Sequence, residues 1–291
     1  MGGLLLPRNL AEAADRDGEI RAWIPELPSV VAEMSQRWSL ELDAPYQPGG
    51  RCSWVAPVRT PLGEDLVLKV GWRHIEAEHE VDALALWDGD GAVRLHATHD
   101  IADSSVMLLE RCTPGTALGH ALTEPEQDVV IAALLHRLWR QAPDGHRFRP
   151  LQDMCDQWAR EFEQRLATPD HRVDPGLDRE GMAVLRALPS SAERHVVLCT
   201  DLHAENVLAA RRMPWLAVDP KPYLGDPTYD ALQHMLNCPE RLYTDPVALT
   251  RRMAGLLDVD PGRLQLWLFA RCVQESPDDP ALLEVAARIA P

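Results

Sequence analysis

The fold of this chain is decided by residues 197–206, which read Val197-Leu198-Cys199-Thr200-Asp201-Leu202-His203-Ala204-Glu205-Asn206. Apolar residues run into a tight polar loop, and the apolar residues 207–209 lead out of it. This pattern predicts a strand, a loop and a second strand. A further short apolar run over residues 215–218 ends in Asp219, with proline directly behind it. The region therefore predicts a group of polar side chains placed where short strands end.

Three of these polar side chains suit phosphoryl transfer. Asn206 lies five positions after Asp201, and Asp219 comes thirteen positions later. Protein-kinase-like enzymes use an Asp that accepts a hydroxyl proton, followed by an Asn and a second Asp that hold Mg²⁺. Such transfer needs an oxygen aimed in line and positive charge on the phosphate oxygens. For Asp219 the alternative is an Asp that only opens a turn before proline.

Length and charge restrict the classes of function. With 291 residues, 46% of them hydrophobic, the chain can bury one large core or two lobes. The formal net charge of −16 argues against nucleic acid or an anionic membrane as a partner, because phosphate contacts require Lys and Arg. An acidic surface suits a small cationic substrate, although it also keeps a protein soluble. We therefore expect a small cationic substrate. We also expect a monomer, although the sequence does not fix the oligomeric state.

The cysteines and the apolar runs indicate the compartment. The six cysteines are scattered and include no Cys-x-x-Cys pair, which predicts buried thiols in a reducing cytoplasm. No apolar run approaches the roughly 20 residues that a membrane-spanning helix needs. Near the N-terminus the only apolar run is Leu4-Leu5-Leu6, which is too short for the core of a signal peptide. We expect a cytoplasmic protein.

Lysine is rare in this chain. Of the 29 basic residues only Lys69 and Lys221 are lysines, so each indicates a position where a compact ammonium is required. Lys69 lies in an otherwise apolar strand, where an unpaired ammonium is costly. It either binds the α- and β-phosphates of a nucleotide and pairs with a helical Glu, or reaches out to water at the strand end. The following helix offers Glu80, with Glu76 and Glu78 as alternatives.

The pattern of apolar residues divides the chain into a strand-rich and a helix-rich part. A helix over 27–38 precedes strands over 38–43, 52–60, 65–70, 93–97 and 106–109. Further helices are predicted over 125–139, 151–166, 175–188, 227–236, 246–257, 261–276 and 280–290, several of which open with proline in the first turn.

Two segments of the strand-rich part are candidates for nucleotide contacts. Gly49 and Gly50, with Ser53 close behind, form a turn whose backbone N–H groups could cover phosphates; an ordinary hairpin turn is the alternative. Glu110 and Cys112 lie in an extended linker after the last strand. In a two-lobed kinase such a linker binds the adenine edge through its backbone.

Together these motifs resemble the aminoglycoside phosphotransferase superfamily, and within it the group of streptomycin 6-kinases and hydroxyurea kinases. The resemblance covers most of the chain and is strongest over 198–208 and 215–222. The Asp-Pro-Lys-Pro run at 219–222, with Gly-Asp-Pro-Thr-Tyr-Asp at 225–230, is specific to this group. The chain departs from related kinases at Cys199-Thr200, where His-Gly is usual, and at Ala204-Glu205, where Pro-Gly is frequent. Both departures affect the backbone of the loop and no atom that would accept a proton or hold a metal.

The resemblance implies an α+β, bilobal protein-kinase-like fold. Residues 1–111 would form the small antiparallel-sheet lobe that binds the nucleotide, and residues 112–291 a larger, mostly helical lobe that binds the substrate. The implied activity is transfer of a phosphoryl group from ATP, with Mg²⁺, to the 6-hydroxyl of streptomycin's streptidine ring, which gives antibiotic resistance. A kinase for hydroxyurea or another small metabolite is the alternative, and a silent nucleotide-binding protein is a third.

The resemblance also implies roles for the polar residues of the loop region. Asp201 would accept the hydroxyl proton, Asn206 and Asp219 would hold Mg²⁺, and Lys69 would bind ATP. Lys221 would either neutralise phosphate or pair with a carboxylate of the loop.

Further acidic and imidazole side chains are candidates for support or for substrate contacts. His203 and Asp226 would support the loop. Asp230 would brace it too, act as an ordinary helix-start acid, or contact substrate. Near the C-terminus Glu275, Asp278 and Asp279 form an acidic cluster that would bind guanidinium groups bidentately; a solvated acidic surface is the alternative.

Overall fold

The computed structural model describes residues 4–166 and 175–291. The chain divides into two compact units, Met1–Gly115 with Ala210–Pro214, and Thr116–Ala209 with Trp215–Pro291. We call them the first and the second unit. The short segment 210–214 joins the first unit from far along the chain, which the sequence did not predict. Among the described residues, no helix is both long enough and apolar enough to span a membrane.

Three helices open the first unit: α1 (Arg8–Arg16), α2 (Gly18–Trp23) and α3 (Leu27–Arg37). Only α3 was predicted from the sequence. The carboxylate of Asp17 lies between α1 and α2 and accepts two backbone N–H groups from the first turn of α2. Such a cap satisfies donors that a helix start leaves without partners, and it explains why the chain breaks and restarts here.

A five-stranded antiparallel sheet follows, with the strand order β1-β2-β3-β5-β4. Its strands are β1 (Glu41–Leu42), β2 (Ser53–Arg59), β3 (Asp65–Trp72), β4 (Leu95–Ile101) and β5 (Ser104–Glu110). Three of these, β2, β3 and β5, overlap the predicted ranges closely, whereas β1 covers only two residues of the predicted 38–43 and β4 extends well beyond 93–97. The edge strand β4 alternates half-buried and exposed positions and is polar over most of its length. A search for apolar runs therefore finds only its beginning.

The helices α1 to α3 pack against one face of this sheet. Leu66, Leu68 and Val70 of β3 share a buried core with Leu10 of α1 and Trp23 of α2. Side chains alternate between the two faces of a strand, so the residue between Leu68 and Val70 is directed to the opposite face. That residue is Lys69. On the chain after β3 comes α4 (Glu80–Trp87), preceded by a single 3₁₀ turn.

The second unit is mostly helical. Its helices are α5 (Leu118–Ala121), α6 (Glu124–Leu138), α7 (Leu151–Leu166), α8 (Pro175–Ala187), α9 (Leu232–Leu236), α10 (Pro239–Thr244), α11 (Pro246–Leu257), α12 (Pro261–Glu275) and α13 (Leu282–Ile289). Two antiparallel strand pairs complete it: β6 (Val196–Leu198) with β9 (Tyr223–Gly225), and β7 (Val207–Ala209) with β8 (Trp215–Ala217). The short elements α5, α10 and β9 were not predicted, because each is too short to show a period.

A buried carboxylate ties four of these helices together. Asp128 of α6 is fully buried and accepts N–H groups from His234, Arg241 and Arg252 at 2.6–2.9 Å. Burial would raise the pKa of Asp128, but these hydrogen bonds outweigh it and hold the pKa well below its ordinary value. Asp128, His234 and Cys238 lie close enough together to suggest a metal site. Since both carboxylate oxygens already accept from arginine, we interpret the group as a structural hub.

Candidate active site

The loop between β6 and β7 is held by a buried carboxylate. Asp230 has no exposed surface, and its two oxygens accept the backbone N–H groups of Cys199 at 3.0 Å and Thr200 at 2.6 Å. The indole N–H of Trp139 donates to the same carboxylate at 3.1 Å. Burial raises the pKa of Asp230 to about 6, against the opposing effect of these hydrogen bonds. Asp230 therefore braces the loop, and its full burial removes it from the candidate substrate contacts.

The backbone of this loop is strained at Thr200. Its φ of 51° lies in the left-handed region, which a β-branched residue rarely adopts. The left-handed conformation costs a non-glycine residue about 1–2 kcal/mol. Two contacts offset this cost: the N–H donates to Asp230, and the hydroxyl donates to the backbone carbonyl of Lys221. A glycine at this position would avoid the strain but would lack the hydroxyl.

Asp201 and Asn206 contact each other within the loop. The side-chain amide of Asn206 donates to the backbone carbonyl of Asp201 at 3.0 Å and to its Oδ2 at 3.4 Å. The backbone N–H of Asn206 donates to the carbonyl of His203, which closes a 3₁₀ turn. With its nitrogen committed to Asp201, Asn206 directs its amide oxygen elsewhere. Asp201 is 17% exposed, so its carboxylate is anchored but reaches the surface.

Asp219 lies at the same end of a strand pair as Asn206. The two strands β7 and β8 follow Asn206 and precede Asp219, and the N–H of Val218 donates to the carbonyl of Asn206 at 2.9 Å. Asp219 has a φ of 54°, a left-handed conformation that Asp tolerates better than most residues. An amide oxygen and a carboxylate are the hard ligands that Mg²⁺ prefers. The donor set therefore fits a magnesium ion.

Lys221 lies against the catalytic candidate. Its Nζ is 3.4 Å from Oδ2 of Asp201, and its backbone N–H donates to the carbonyl of Cys199 at 3.0 Å. Of the two roles that the sequence left open, pairing with a loop carboxylate is the one for which the structure shows a contact. Close by, burial lowers the pKa of His203, which favours the neutral imidazole. The carbonyl of His203 takes part in the loop turn, as described above.

Asp226 contacts a helix, and its support of the loop stays a prediction. Its Oδ2 accepts from Arg263 Nε at 2.6 Å and from the indole of Trp267 at 2.7 Å, both on α12. Its Oδ1 accepts the N–H of Thr228 and caps the next 3₁₀ turn. Asp226 therefore ties the segment after β9 to α12, while Asp230, four residues later, contacts the loop.

In the first unit, Lys69 is paired with Glu80. The ammonium of Lys69 lies 2.7 Å from both carboxylate oxygens of Glu80, and the two residues are only 7% and 3% exposed. Glu76 lies in the 3₁₀ turn before α4, and Glu78 is exposed. An isolated charge in this position would be costly, and the second charge offsets that cost. The pair fixes the ammonium at the middle of β3.

The Gly49–Gly50 turn is packed against the N-terminal segment. A Cβ at Gly49 would lie 2.4 Å from Cβ of Pro7, and its φ of 75° also requires glycine. The side chain of Asn9 donates to the carbonyl of Gly49 at 2.8 Å. Close packing thus gives a structural reason for this glycine, in addition to the predicted phosphate contacts. Ser53 begins β2, with its hydroxyl near Gly50.

Glu110, which was predicted in the linker, is the last residue of β5, and it binds an arginine that the sequence did not reveal. Arg212, from the segment 210–214, donates to the carboxylate of Glu110 at 2.8–2.9 Å and to the carbonyls of Gly89 and Ala92. Burial opposes this, but the bonds from Arg212 hold the pKa of Glu110 below its ordinary value. Burial also raises the pKa of Cys112 to about 12, so its thiol is neutral. The carboxylate of Glu110 is occupied by its hydrogen bonds with Arg212. The linker backbone stays the candidate for hydrogen bonds to adenine.

The C-terminal acidic cluster borders two cavities of about 140 and 250 Å³ in the second unit. Within it each acid has a partner. Glu275 pairs with Arg271 and Asp278 with Arg165, each at 2.6 Å, and the hydroxyl of Tyr243 donates to Asp279. A guanidinium ligand would have to compete with two arginines, so binding of such a group by Glu275, Asp278 and Asp279 stays a prediction.

Comparison with known proteins identifies the family. A family model described as aminoglycoside/hydroxyurea antibiotic resistance kinase matches residues 37–277. The chain belongs to this kinase family. The resemblance inferred from the loop motifs is confirmed, and membership makes the protein a phosphotransferase.

Relatives within this kinase family differ in the substrate that their names give. The chain is 36% identical to a streptomycin 6-kinase of Streptomyces griseus over 286 residues, which are 93% of this chain and 89% of that protein. It is 32% identical to a hydroxyurea phosphotransferase of Kitasatospora aureofaciens over 278 residues, 92% of this chain and 78% of that protein.

A solved structure of a distant kinase shows the same fold. The choline kinase LicA from Streptococcus pneumoniae superposes with a TM-score of 0.60 at 14% identity, covering 91% of this chain and 97% of that chain. At this identity the likeness concerns the fold alone. The predicted α+β, protein-kinase-like fold is confirmed for this member of the kinase family.

Proposed function

We propose that this protein is an ATP- and Mg²⁺-dependent kinase that phosphorylates the 6-hydroxyl of the streptidine ring of streptomycin. The observation that carries the proposal is the anchored carboxylate of Asp201, held at the surface of its loop by Asn206 and Lys221. The substrate follows from the 36% identity with the Streptomyces griseus streptomycin 6-kinase. The net charge of −16 supports a cationic substrate.

The proposed reaction transfers one proton to Asp201 and one phosphoryl group from ATP to the substrate. The substrate hydroxyl gives its proton to the carboxylate of Asp201 while its oxygen bonds to the γ-phosphorus. The bond from that phosphorus to the β,γ-bridging oxygen breaks, and ADP leaves. Removing a positioned general base typically costs about 10²–10⁴ in rate. Asp201 also aims the oxygen, because accepting its proton fixes the direction of the hydroxyl.

The other polar residues would position the nucleotide. Asn206 and Asp219 would hold Mg²⁺, which when bound supplies positive charge to the phosphate oxygens. The ammonium of Lys69 would bind the α- and β-phosphates, oriented by the buried carboxylate of Glu80. Backbone groups of the turn at Gly49 and Gly50 would add further phosphate contacts. We place the enzyme in the cytoplasm as a monomer.

Hydroxyurea is the second candidate substrate. The Kitasatospora aureofaciens relative favours it, because that hydroxyurea phosphotransferase aligns with 92% of this chain. Hydroxyurea offers a hydroxyl that Asp201 could deprotonate, but it lacks the guanidinium groups that an acidic surface would attract.

Purified protein should be assayed with ATP and Mg²⁺ for ADP release on streptomycin, other aminoglycosides and hydroxyurea. We expect turnover on streptomycin, with NMR of the product placing the phosphate on the 6-oxygen. Asp201→Asn should keep nucleotide binding and lose about 10²–10⁴ of kcat. Asp144→Asn, which removes one exposed carboxylate from another loop, should leave kcat unchanged. Nucleotide binding without turnover on any of these compounds would refute the kinase proposal.

A further inference from the structure

Lys221 is attached to the candidate catalytic loop at three atoms. Its backbone N–H donates to the carbonyl of Cys199 at 3.0 Å, its carbonyl accepts the hydroxyl of Thr200, and its Nζ lies 3.4 Å from Oδ2 of Asp201. The side chain is 38% exposed, so its position depends on these attachments more than on packing. A flexible four-carbon stem is therefore brought to one carboxylate oxygen by two backbone contacts at its base.

The contacts of Asp201 fall on one of its two oxygens. Lys221 Nζ and the amide nitrogen of Asn206 both lie 3.4 Å from Oδ2. Within residues 4–166 and 175–291 no side chain or backbone group donates a hydrogen bond to Oδ1. A carboxylate whose Oδ2 is held by two donors cannot rotate without losing both. The oxygen that remains for a substrate hydroxyl is Oδ1.

Thr200 holds the backbone of Lys221 in place. It adopts a left-handed backbone conformation with a φ of 51°, where glycine would be free of strain. Glycine has no hydroxyl, however, and the hydroxyl of Thr200 is the donor to the carbonyl of Lys221. The strained residue thus provides a tether that the unstrained one cannot provide.

We propose that Lys221 is a positioning residue that holds Oδ2 of Asp201, so that Oδ1 accepts the substrate proton, and that the Thr200 hydroxyl fixes Lys221 in this place. This inference rests on the proposed phosphotransferase function. The compact ammonium matters because a guanidinium in its place would form a two-pronged contact with both carboxylate oxygens and cover Oδ1. A chain that uses arginine at all but two basic positions has kept lysine here.

Steady-state kinetics of Lys221→Met and Lys221→Arg test the first half. We expect Lys221→Met to lower kcat by roughly 10- to 100-fold, the scale of a small misplacement of a catalytic group. The KM for ATP should change less than about threefold, because we propose that the ammonium of Lys221 contacts Asp201 and not the phosphates of ATP. Lys221→Arg should be no better than Lys221→Met. If Lys221→Arg keeps most of kcat while Lys221→Met mainly raises the KM for ATP, Lys221 binds phosphate and the inference fails.

Thr200 variants test the tether. Thr200→Val keeps the shape and the strain but removes the hydroxyl, and Thr200→Gly removes both, so at least one of them should fold normally. Both should lower kcat, and Thr200→Ser should recover most of the loss. Because Thr200 acts through Lys221, Thr200→Gly combined with Lys221→Met should be no slower than Lys221→Met alone. Fully additive losses would overturn the tether.

A crystal structure of Lys221→Met separates this inference from the proposed function. The wild-type protein should show Oδ2 of Asp201 against Lys221, and in the variant the carboxylate should be rotated or disordered. An unchanged carboxylate refutes the positioning role whatever the substrate is. Conversely, a wild-type enzyme that phosphorylates neither streptomycin nor hydroxyurea refutes the proposed function, while the crystallographic comparison still decides the role of Lys221.

Discussion

Replacing Asp230 with asparagine should change how the stability of this protein depends on pH. The pKa of Asp230 is raised from 3.8 to about 6 because the carboxylate is fully buried. The folded state therefore keeps the proton of this group to a higher pH than the unfolded chain does. Its contribution to stability is fully present below pH 3.8 and is lost as the pH rises through about 6. At about 1.4 kcal/mol per pKa unit, the loss is about 3 kcal/mol.

The assay is urea unfolding of wild type and Asp230→Asn at several pH values between 4 and 7. Most of the titration falls in this range, so wild type should lose about 2–3 kcal/mol relative to the variant as the pH rises. The asparagine side chain cannot accept both N–H groups of Cys199 and Thr200, so kcat should fall even where stability improves. Asp144→Asn, which changes an exposed carboxylate, is the control. A difference in unfolding free energy that stays constant from pH 4 to pH 7 would refute the reasoning.

Three further substitutions test buried contacts in the two units. Glu80→Gln leaves the buried ammonium of Lys69 without its counter-charge, which should cost about 3–5 kcal/mol in urea unfolding. Asp128→Ala removes the acceptor of four hydrogen bonds and should cost a similar amount, about 3–5 kcal/mol; in wild type this stabilisation is present above pH 3.8 and is lost as the pH falls below it. Gly49→Ala places a Cβ 2.4 Å from Pro7 and should cost about 1–3 kcal/mol in thermal unfolding.

Two of these substitutions have a matched control. Glu78→Gln changes an exposed glutamate of the same segment and should be neutral within about 0.5 kcal/mol. Gly63→Ala has a similar positive φ of 79° but meets no atom within 4 Å, so it measures backbone strain alone. Equal losses for Gly49→Ala and Gly63→Ala would contradict the close packing. For Asp128→Ala, the contrary result is an acid-unfolding profile that matches wild type.

Local contacts of the candidate site could be predicted from the sequence. Lys69 lies in an apolar strand, where its ammonium requires an anionic partner, and Glu80 follows it by eleven residues on the next helix. The short connection limits where that partner can be. The fold class was implied by the family resemblance of the loop motifs, and the pattern of five strands followed by helices agrees with it.

Contacts that bridge distant elements could not be predicted. Asp226 meets Arg263 and Trp267, which are 37 and 41 residues further along the chain, and Glu110 meets Arg212 after 102 residues. No period or motif links such residues, because their meeting depends on how whole helices and strands pack. The full length of β4 could not be predicted either, because this edge strand is mostly polar and carries little of the apolar pattern that identifies a strand.

The loop at 199–206 combines two features that stability alone would not retain. Thr200 holds a left-handed backbone where glycine would be unstrained, and Asp230 buries a carboxylate whose ionised form is disfavoured there. The strain could be removed by Thr200→Gly, whereas an apolar residue in place of Asp230 would remove the buried charge but leave three N–H groups without an acceptor. Both costs act on the two residues directly before Asp201. Strain and buried charge therefore converge on the orientation of one carboxylate, as expected if that orientation is what the loop must preserve.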